Sequence, residues 1–307
     1  MLQLEGKHVG VTGAGSMIGR AVVDQLWKKG ALPFSILHPN YDLLDYKVAR
    51  QALVGCDYVI HCAGYNGNLA FNAKYPADIF FNTAQMGLNV LRAALAVGVK
   101  KVVTPLASCA YPDTDILVEA EFLNGAPNPT VEAHGLSKRV IHAYGRQLKK
   151  QYGFNAVSLI FNTCYGPYDS FNVEKTKVVG GLIAKFCEAV KNGTDVICWG
   201  SGEPRRELIY VDDAAKAIIA VLENYDDSEL PINIGQWQDV SIKALAELIA
   251  ELTGFNREII WDTTKPDGQY QKLLNPARST NILPHMEFTP LQEGLKKTIE
   301  WYRCNLV

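Results

Sequence analysis

Residues 11–20 read V-T-G-A-G-S-M-I-G-R, between an apolar run at Lys7–Thr12 and an amphipathic run at Ile18–Lys29. A strand, a glycine-rich turn and a helix in immediate succession let backbone N–H groups approach a pyrophosphate at the helix N-terminus. Placed at the first strand–helix junction, the stretch is a candidate dinucleotide site. Its lining would be Thr12, Gly13, Gly15, Ser16, Met17, Ile18 and Gly19.

Outward from this turn the chain keeps alternating. Strands are expected at Phe34–Leu37, Asp57–Ala63, Lys101–Pro105 and Ala156–Phe161, with helices at Lys47–Val54, Thr83–Val97 and Gly135–Tyr152. Units of this size predict an α/β fold, a Rossmann-type doubly wound parallel sheet with helices on both faces. Beyond Gly166–Pro167 the pattern loosens, and Val211–Leu222 reads as a helix that returns to the first domain. The expected division is a dinucleotide-binding domain at 1–167, rejoined by 208–226, and a smaller α/β substrate lobe from 168–207 and 227–307.

Composition narrows the function. The 307 residues are 48% hydrophobic and 20% charged with net charge −2, which argues against a nucleic-acid or anionic membrane partner. No apolar run is long enough to span a bilayer, and the first residues lack a signal-peptide layout. Seven cysteines, scattered and never as C-x-x-C, read as reduced thiols of a cytoplasmic protein, with no metal site. His8, His38 and His61 read as core or strand-end histidines. The second strand ends S-I-L-H-P-N-Y-D-L-L-D, without the acid that marks NAD or the arginine that marks NADP, so either cofactor stays open. Asp42 and Asp45 are expected to cap the short helix that follows.

Several longer motifs stand in order along the chain. They are Y-P-A-D-I-F-F-N at 75–82, S-C-A-Y-P at 108–112, G-L-S-K at 135–138 and Y-G-P-Y-D-S-F at 165–171. Then come W-G-S-G-E-P-R-R-E at 199–207, V-D-D at 211–213 and K-P-D-G-Q-Y-Q-K-L-L at 265–274. With the glycine-rich turn, they make the chain resemble the extended short-chain dehydrogenase/reductases, and within them the GDP-L-fucose synthase group. That resemblance implies a GDP-linked sugar as substrate, NAD or NADP as cofactor, a homodimer built on two helices per subunit, and a cofactor contact at Ala63.

The resemblance also implies a redox trio of Ser, Tyr and Lys. Lys138 matches the lysine, but the tyrosine position holds His134 and the serine position holds Ala107, with Ser108 one place off. The middle glycine of the turn is Ser16. A second constellation is similar to GDP-mannose 3,5-epimerases: Cys109 and Lys177 stand where epimerising relatives keep the pair that removes and returns protons beside a 4-keto group. The same resemblance assigns Ser108, Asn162, Lys185, Arg206 and Lys272 to the nucleotide-sugar. Against these roles stand a buried hydrophobe for Cys109, solvated charges for Lys177 and Lys272, and a surface ion pair of Arg206 with Glu203 or Glu207.

Three readings of His134 follow. It replaces the phenol as a proton donor to the sugar oxygen; or redox has been lost, and Cys109 with Lys177 epimerises a substrate that already carries the ketone; or the protein binds a nucleotide without turnover. The expected activity is epimerisation at position 3, 5 or both of a GDP-4-keto-sugar, with 4-keto reduction left open. The alternatives are a conventional reductase using His134 and a silent nucleotide-sugar or NAD(P) binder.

Overall fold

A sheet buried on both faces takes strands that are mainly apolar, and this chain supplies them: Val9, Val11, Val59, Ile60, Val102, Val103 and Val157 have no exposed surface. The computed structural model describes residues 2–172, 176–265, 267 and 269–306. In chain order the strands are β1 (His8–Thr12), β2 (Leu32–Ile36), β3 (Tyr58–His61), β4 (Lys101–Ala107), β5 (Ile116–Leu117), β6 (Asn155–Phe161) and β7 (Thr163–Tyr165). They continue with β8 (Val196–Trp199), β9 (Arg205–Arg206), β10 (Leu208–Tyr210), β11 (Ile232–Ile234), β12 (Val240–Ser241), β13 (Ile259–Asp262) and β14 (Leu273–Leu274). The longer helices are α1 (Met17–Lys28), α2 (Tyr46–Ala52), α3 (Leu69–Lys74), α4 (Pro76–Val97), α5 (Glu132–Tyr152), α6 (Val178–Asn192) and α7 (Val211–Asn224). Three more, α8 (Ile242–Thr253), α9 (Ala277–Ile282) and α10 (Leu291–Leu306), complete the C-terminal part.

Among the described residues the central sheet has six strands in the order β11-β6-β4-β3-β1-β2, every neighbouring pair parallel. This is the Rossmann-type α/β fold. The order reverses at β1, so a crevice opens beyond the C-terminal ends of β1 and β3, where open α/β sheets take their ligands. Thr12 and His61 stand opposite each other in that register. Helices α1 and α7 share the core of one face with residues of β1, β3 and β6. On the other face α2, α4 and α5 form a second core. A third core gathers α6, α8 and α10 around β8 and β10.

Boundaries differ from the sequence expectations in instructive ways. Helix α4 begins at Pro76 rather than Thr83, with proline in the first turn, where its missing N–H costs nothing. Helix α5 begins at Glu132 rather than Gly135, which puts His134 and Gly135 inside its first turn. Asp45 caps α2 through a 2.7 Å bond from the Lys47 N–H, whereas Asp42 accepts from Leu44 in the preceding turn. The stretch 227–307, expected wholly in the substrate lobe, instead gives β11 to the central sheet through its pairing with β6. Among the described residues no helix is long and apolar enough to cross a membrane.

Candidate active site

The glycine-rich turn is held by packing. A Cβ on Gly13 would sit 2.8 Å from the Ala63 nitrogen, and one on Gly19 would sit 2.2 Å from the Gly13 carbonyl oxygen. Neither position admits a side chain, so α1 starts directly against β1. Ser16 is the N-cap of α1: its hydroxyl donates to the Gly13 carbonyl at 2.7 Å and accepts from the Gly19 N–H at 3.1 Å. Gly15 and Ser16 are exposed, and Met17 and Ile18 are half-buried. Gly15 lines a groove of about 490 Å³ together with Arg20, Tyr168, Asp169 and Trp301. An exposed turn at a helix N-terminus and at the switch point of the sheet fits a dinucleotide's pyrophosphate. Thr12 departs from its expected lining role. It is fully buried, accepts from the Ala63 N–H at 3.2 Å and shares a 2.8 Å bond with His61 Nδ1, so it ties β1 to β3 beneath the turn. His61 is only half satisfied for a core histidine, because its Nε2 is buried without a partner.

At the far end of the crevice three segments meet: the turn Ser108–Ala110 after β4, the first turn of α5, and the loop that follows β3. Arg139, from α5, fixes the first by donating to the carbonyls of Ala110 at 2.5 Å and Gly125 at 2.6 Å. Gly135 lets α5 come close, since a Cβ there would lie 2.4 Å from the Cys109 carbonyl oxygen. The result is a contact of 3.3 Å between Cys109 Sγ and His134 Nδ1. The same Nδ1 lies 3.1 Å from Asn66 Nδ2 in the loop after β3. Asn66 is in turn held through its Oδ1 by Asn72 Nδ2 at 3.0 Å.

Three lysines surround this contact. Lys138 is buried one turn along α5, and burial lowers its ammonium to about 8 despite the nearby Cys109 and Cys62. Burial pushes the Cys109 thiol up, against the opposing charges of Lys272, Lys138 and Lys177. Burial also holds His134 well below the usual imidazole range, helped by Lys138 and Lys177. At neutral pH the pair is therefore a thiol beside a neutral imidazole. Lys177 is exposed at the N-cap position of α6, and its charge is felt at Cys109, His134 and Lys138.

Of the residues singled out in the sequence, the structure groups Cys109, His134, Lys138, Lys177 and Lys272 electrostatically. Asn162 joins them through a 3.2 Å bond to the Lys272 carbonyl. Ser108 opens the turn that carries Cys109, and its carbonyl accepts from Tyr111 at 3.1 Å. Arg206 does not pair with Glu203 or Glu207. It donates to the carbonyls of Arg205 at 2.6 Å and Gln269 at 2.8 Å, and Arg205 takes Asp239 at 2.7 Å. Glu207 accepts from Asn162 and from the backbone of Gln236, Trp237 and Leu274. Lys185 is turned to the Ile197 carbonyl at 2.8 Å and lies over the Trp199 ring at 5.8 Å. Pro266 and Gly268 of the 265–274 motif lie outside the described residues.

Four residues to which the sequence assigns no role have notable surroundings. Asn66 and Asn72 sit in Y-N-G-N-L-A-F-N, a stretch outside every motif quoted above. Asp169 carries a buried oxygen without a partner and is raised to about 6 by burial despite Lys177. Trp199 is 67% exposed between Lys185 and Lys265, each 5.8 Å from its ring.

Comparison with known proteins agrees with this layout. Residues 9–235 match the model of the NAD dependent epimerase/dehydratase family. A GDP-L-fucose synthase of Dictyostelium discoideum is 32% identical over 96% of this chain and 95% of its own. GDP-L-fucose synthase 1 of Arabidopsis thaliana is 34% identical over 96% of this chain and 93% of its own. Among solved structures, a GDP-L-fucose synthetase from Naegleria fowleri bound to NADP superposes with a TM-score of 0.91 at 28% identity, covering 99% of this chain and 96% of that one.

Proposed function

The chain belongs to the NAD dependent epimerase/dehydratase family, and from that premise we propose that it epimerises a GDP-linked 4-keto-sugar at C3, C5 or both. The observation that carries the reading is the thiol of Cys109, half-buried in the crevice and opposed by the charges of Lys138, Lys177 and Lys272. A ketone acidifies the C–H bonds beside it. Cys109 takes the proton from one face, Lys177 returns one from the other, and the surrounding ammonium groups favour the enolate between the two steps. Arg206 and Lys272 hold the diphosphate end, Asn162 lines the sugar, and Lys185 with Trp199 extends the same wall. The GDP-sugar names and the bound NADP of the similar proteins support this ligand pair.

The exposed glycine-rich turn and Lys138 would hold a nicotinamide dinucleotide, which supplies hydride chemistry at C4 when bound. A conventional reductase needs a hydroxyl pair aimed at that oxygen. Ala107 carries no hydroxyl, and the Nδ1 of His134 is turned to Cys109 and Asn66, which favours epimerisation over reduction. Helix α4 leaves Phe80 and Phe81 exposed, at 39% and 60%, beside α5, and these two helices are the proposed homodimer surface.

The test is proton NMR of a GDP-4-keto-6-deoxy-sugar with the protein in D₂O, with and without reduced nicotinamide. Deuterium should enter C3 or C5 without cofactor consumption, and Cys109→Ser should slow that exchange by roughly 10³-fold. Cofactor oxidation with a reduced product and no exchange would make the protein a reductase that works through His134. Binding without either signal would make it a silent nucleotide-sugar binder.

A further inference from the structure

We propose that His134 is the positioning residue of Cys109: it offers the thiol proton a lone pair on Nδ1 and so sets the state from which epimerisation starts. The proposal rests on the reading above that Cys109 works on the substrate. It gives the residue at the redox-tyrosine position a task in proton abstraction rather than in hydride transfer.

The tautomer follows from the amides behind the ring. Asn72 Nδ2 lies 2.9 Å from the Asn68 carbonyl oxygen, 3.2 Å from that of Gly67 and 3.0 Å from Asn66 Oδ1. Backbone carbonyls only accept, so the Asn72 amide must face them with its N–H₂; flipped, it would set oxygen against oxygen. Asn66 therefore accepts with Oδ1 and turns its own N–H₂ to His134 Nδ1 at 3.1 Å. A donor aimed at Nδ1 requires a lone pair there, which leaves the ring proton on Nε2. The hydrogen of the Cys109 thiol then points at the same lone pair across 3.3 Å. Two features keep this geometry: Gly135, which admits the close approach of the Cys109 carbonyl, and Thr83, whose hydroxyl donates to the Tyr65 carbonyl at 3.0 Å and anchors the loop carrying Asn66.

The protons balance. The thiol hydrogen moves to Nδ1, the Asn66 amide gives way, and a thiolate remains. The thiolate takes the hydrogen of the carbon next to the ketone, whose electron pair delocalises into the enolate, and Cys109 is a thiol again. Lys177 delivers a proton to the opposite face and, being exposed, recovers one from solvent, while the imidazolium gives its extra proton back to solvent, so every group ends as it began. Charged groups face the pair from three segments. Lys138 from α5 and Lys177 before α6 act on both partners, and Lys272 before β14 acts on the sulfur. All three favour the thiolate, but two of them disfavour the imidazolium, so the ion pair is transient and not the resting form.

The test is the pH profile of Cys109 alkylation by iodoacetamide in the full-length protein without substrate, read at the Cys109 peptide by mass spectrometry. With an imidazole taking the thiol proton, wild type should react at neutral pH about tenfold faster than His134→Phe, whose rate should climb about tenfold per pH unit. Asn66→Asp should give the same loss while leaving both partners in place, because a carboxylate demands an N–H from Nδ1. A nitrogen-15 spectrum of histidine-labelled wild type needs no variant and should show His134 Nδ1 as the unprotonated nitrogen. Superimposable alkylation profiles, or a protonated Nδ1, overturn the proposal. Slowed alkylation without substrate exchange would uphold the pairing and sink the epimerase reading; exchange untouched by His134→Phe would do the reverse.

Discussion

The two ends of the crevice are built by different means. At the dinucleotide end the geometry is backbone against backbone: a Cβ on Gly13 or Gly19 would collide with main-chain atoms at 2.8 Å and 2.2 Å. At the sugar end it is side chain against side chain, with Cys109, His134 and Asn66 brought from three separate segments. Each end holds a residue where the resemblance read in the sequence implies another, Ser16 for glycine in the turn and His134 for tyrosine on α5. Ser16 leaves the turn closed and capped, whereas His134 gives its neighbour a new partner. A site written in the backbone absorbs a changed side chain, and a site written in side chains changes its chemistry.

A pair of glycine substitutions separates the two ends most strongly. Gly19→Ala places a methyl 2.2 Å from the Gly13 carbonyl oxygen and 2.8 Å from the Ala14 Cα, both main-chain atoms. The expected cost is about 3 kcal/mol, and dinucleotide binding should vanish in calorimetric titration. Gly135→Ala places a methyl 2.4 Å from the Cys109 carbonyl oxygen and pushes the two partners apart. Its dinucleotide affinity should stay close to wild type, while deuterium exchange falls about 100-fold, the usual effect of a reacting group misplaced by an ångström. If Gly135→Ala also abolishes dinucleotide binding, the two ends are one cooperative unit and the contrast fails.

Lys138 lies between the ends: its charge is felt at His61 and Cys62 on one side and at Cys109 and His134 on the other. Its ammonium is lowered to about 8, chiefly by burial. The unfolded chain then holds more protons than the folded one between pH 8 and the ordinary lysine range, so stability should rise with pH across that window and be flat below it. Lys138→Met removes the buried charge and should stabilise the fold at neutral pH by up to about 3 kcal/mol, while flattening the alkaline rise. Urea melts at neutral and alkaline pH check both effects. Unchanged melts would mean that the ammonium is already well solvated in the crevice.

What the sequence discloses divides along the same line. The strand–glycine–helix succession at 7–29 gives the α/β class and the turn at the first strand–helix junction, because periodicity and chain adjacency are local properties; that this junction lies at the sheet's switch point comes only from the strand order. The strands Lys101–Ala107 and Asn155–Phe161 and the capping role of Asp45 lie where their local patterns put them. Motif spacing likewise singles out Cys109, Lys138, Lys177 and Lys272, which act on one another in space. Spacing does not disclose which of them touch. Asn66 lies 68 positions from His134, in a stretch outside every motif of the chain. Nor does spacing disclose that the Thr12 hydroxyl, inside the glycine-rich motif, braces two strands.

The smallest expected effect tests the backbone-built end alone. The Ser16 hydroxyl occupies both the Gly13 carbonyl and the Gly19 N–H. Serine and glycine are both good N-caps, so Ser16→Gly should cost only a few tenths of a kcal/mol, whereas Ser16→Ala should cost about 1 kcal/mol. With glycine the Gly19 N–H loses its side-chain partner and adds to the positive end of α1, so dinucleotide affinity should tighten by no more than about fivefold. Exchange at the sugar should not change, because Ser16 shares no hydrogen bond with Cys109, His134 or Asn66. A large gain in affinity, or any change in exchange, would show that the serine tunes the cofactor's grip on the chemistry, and that the backbone-built end is as sensitive to a single side chain as the other.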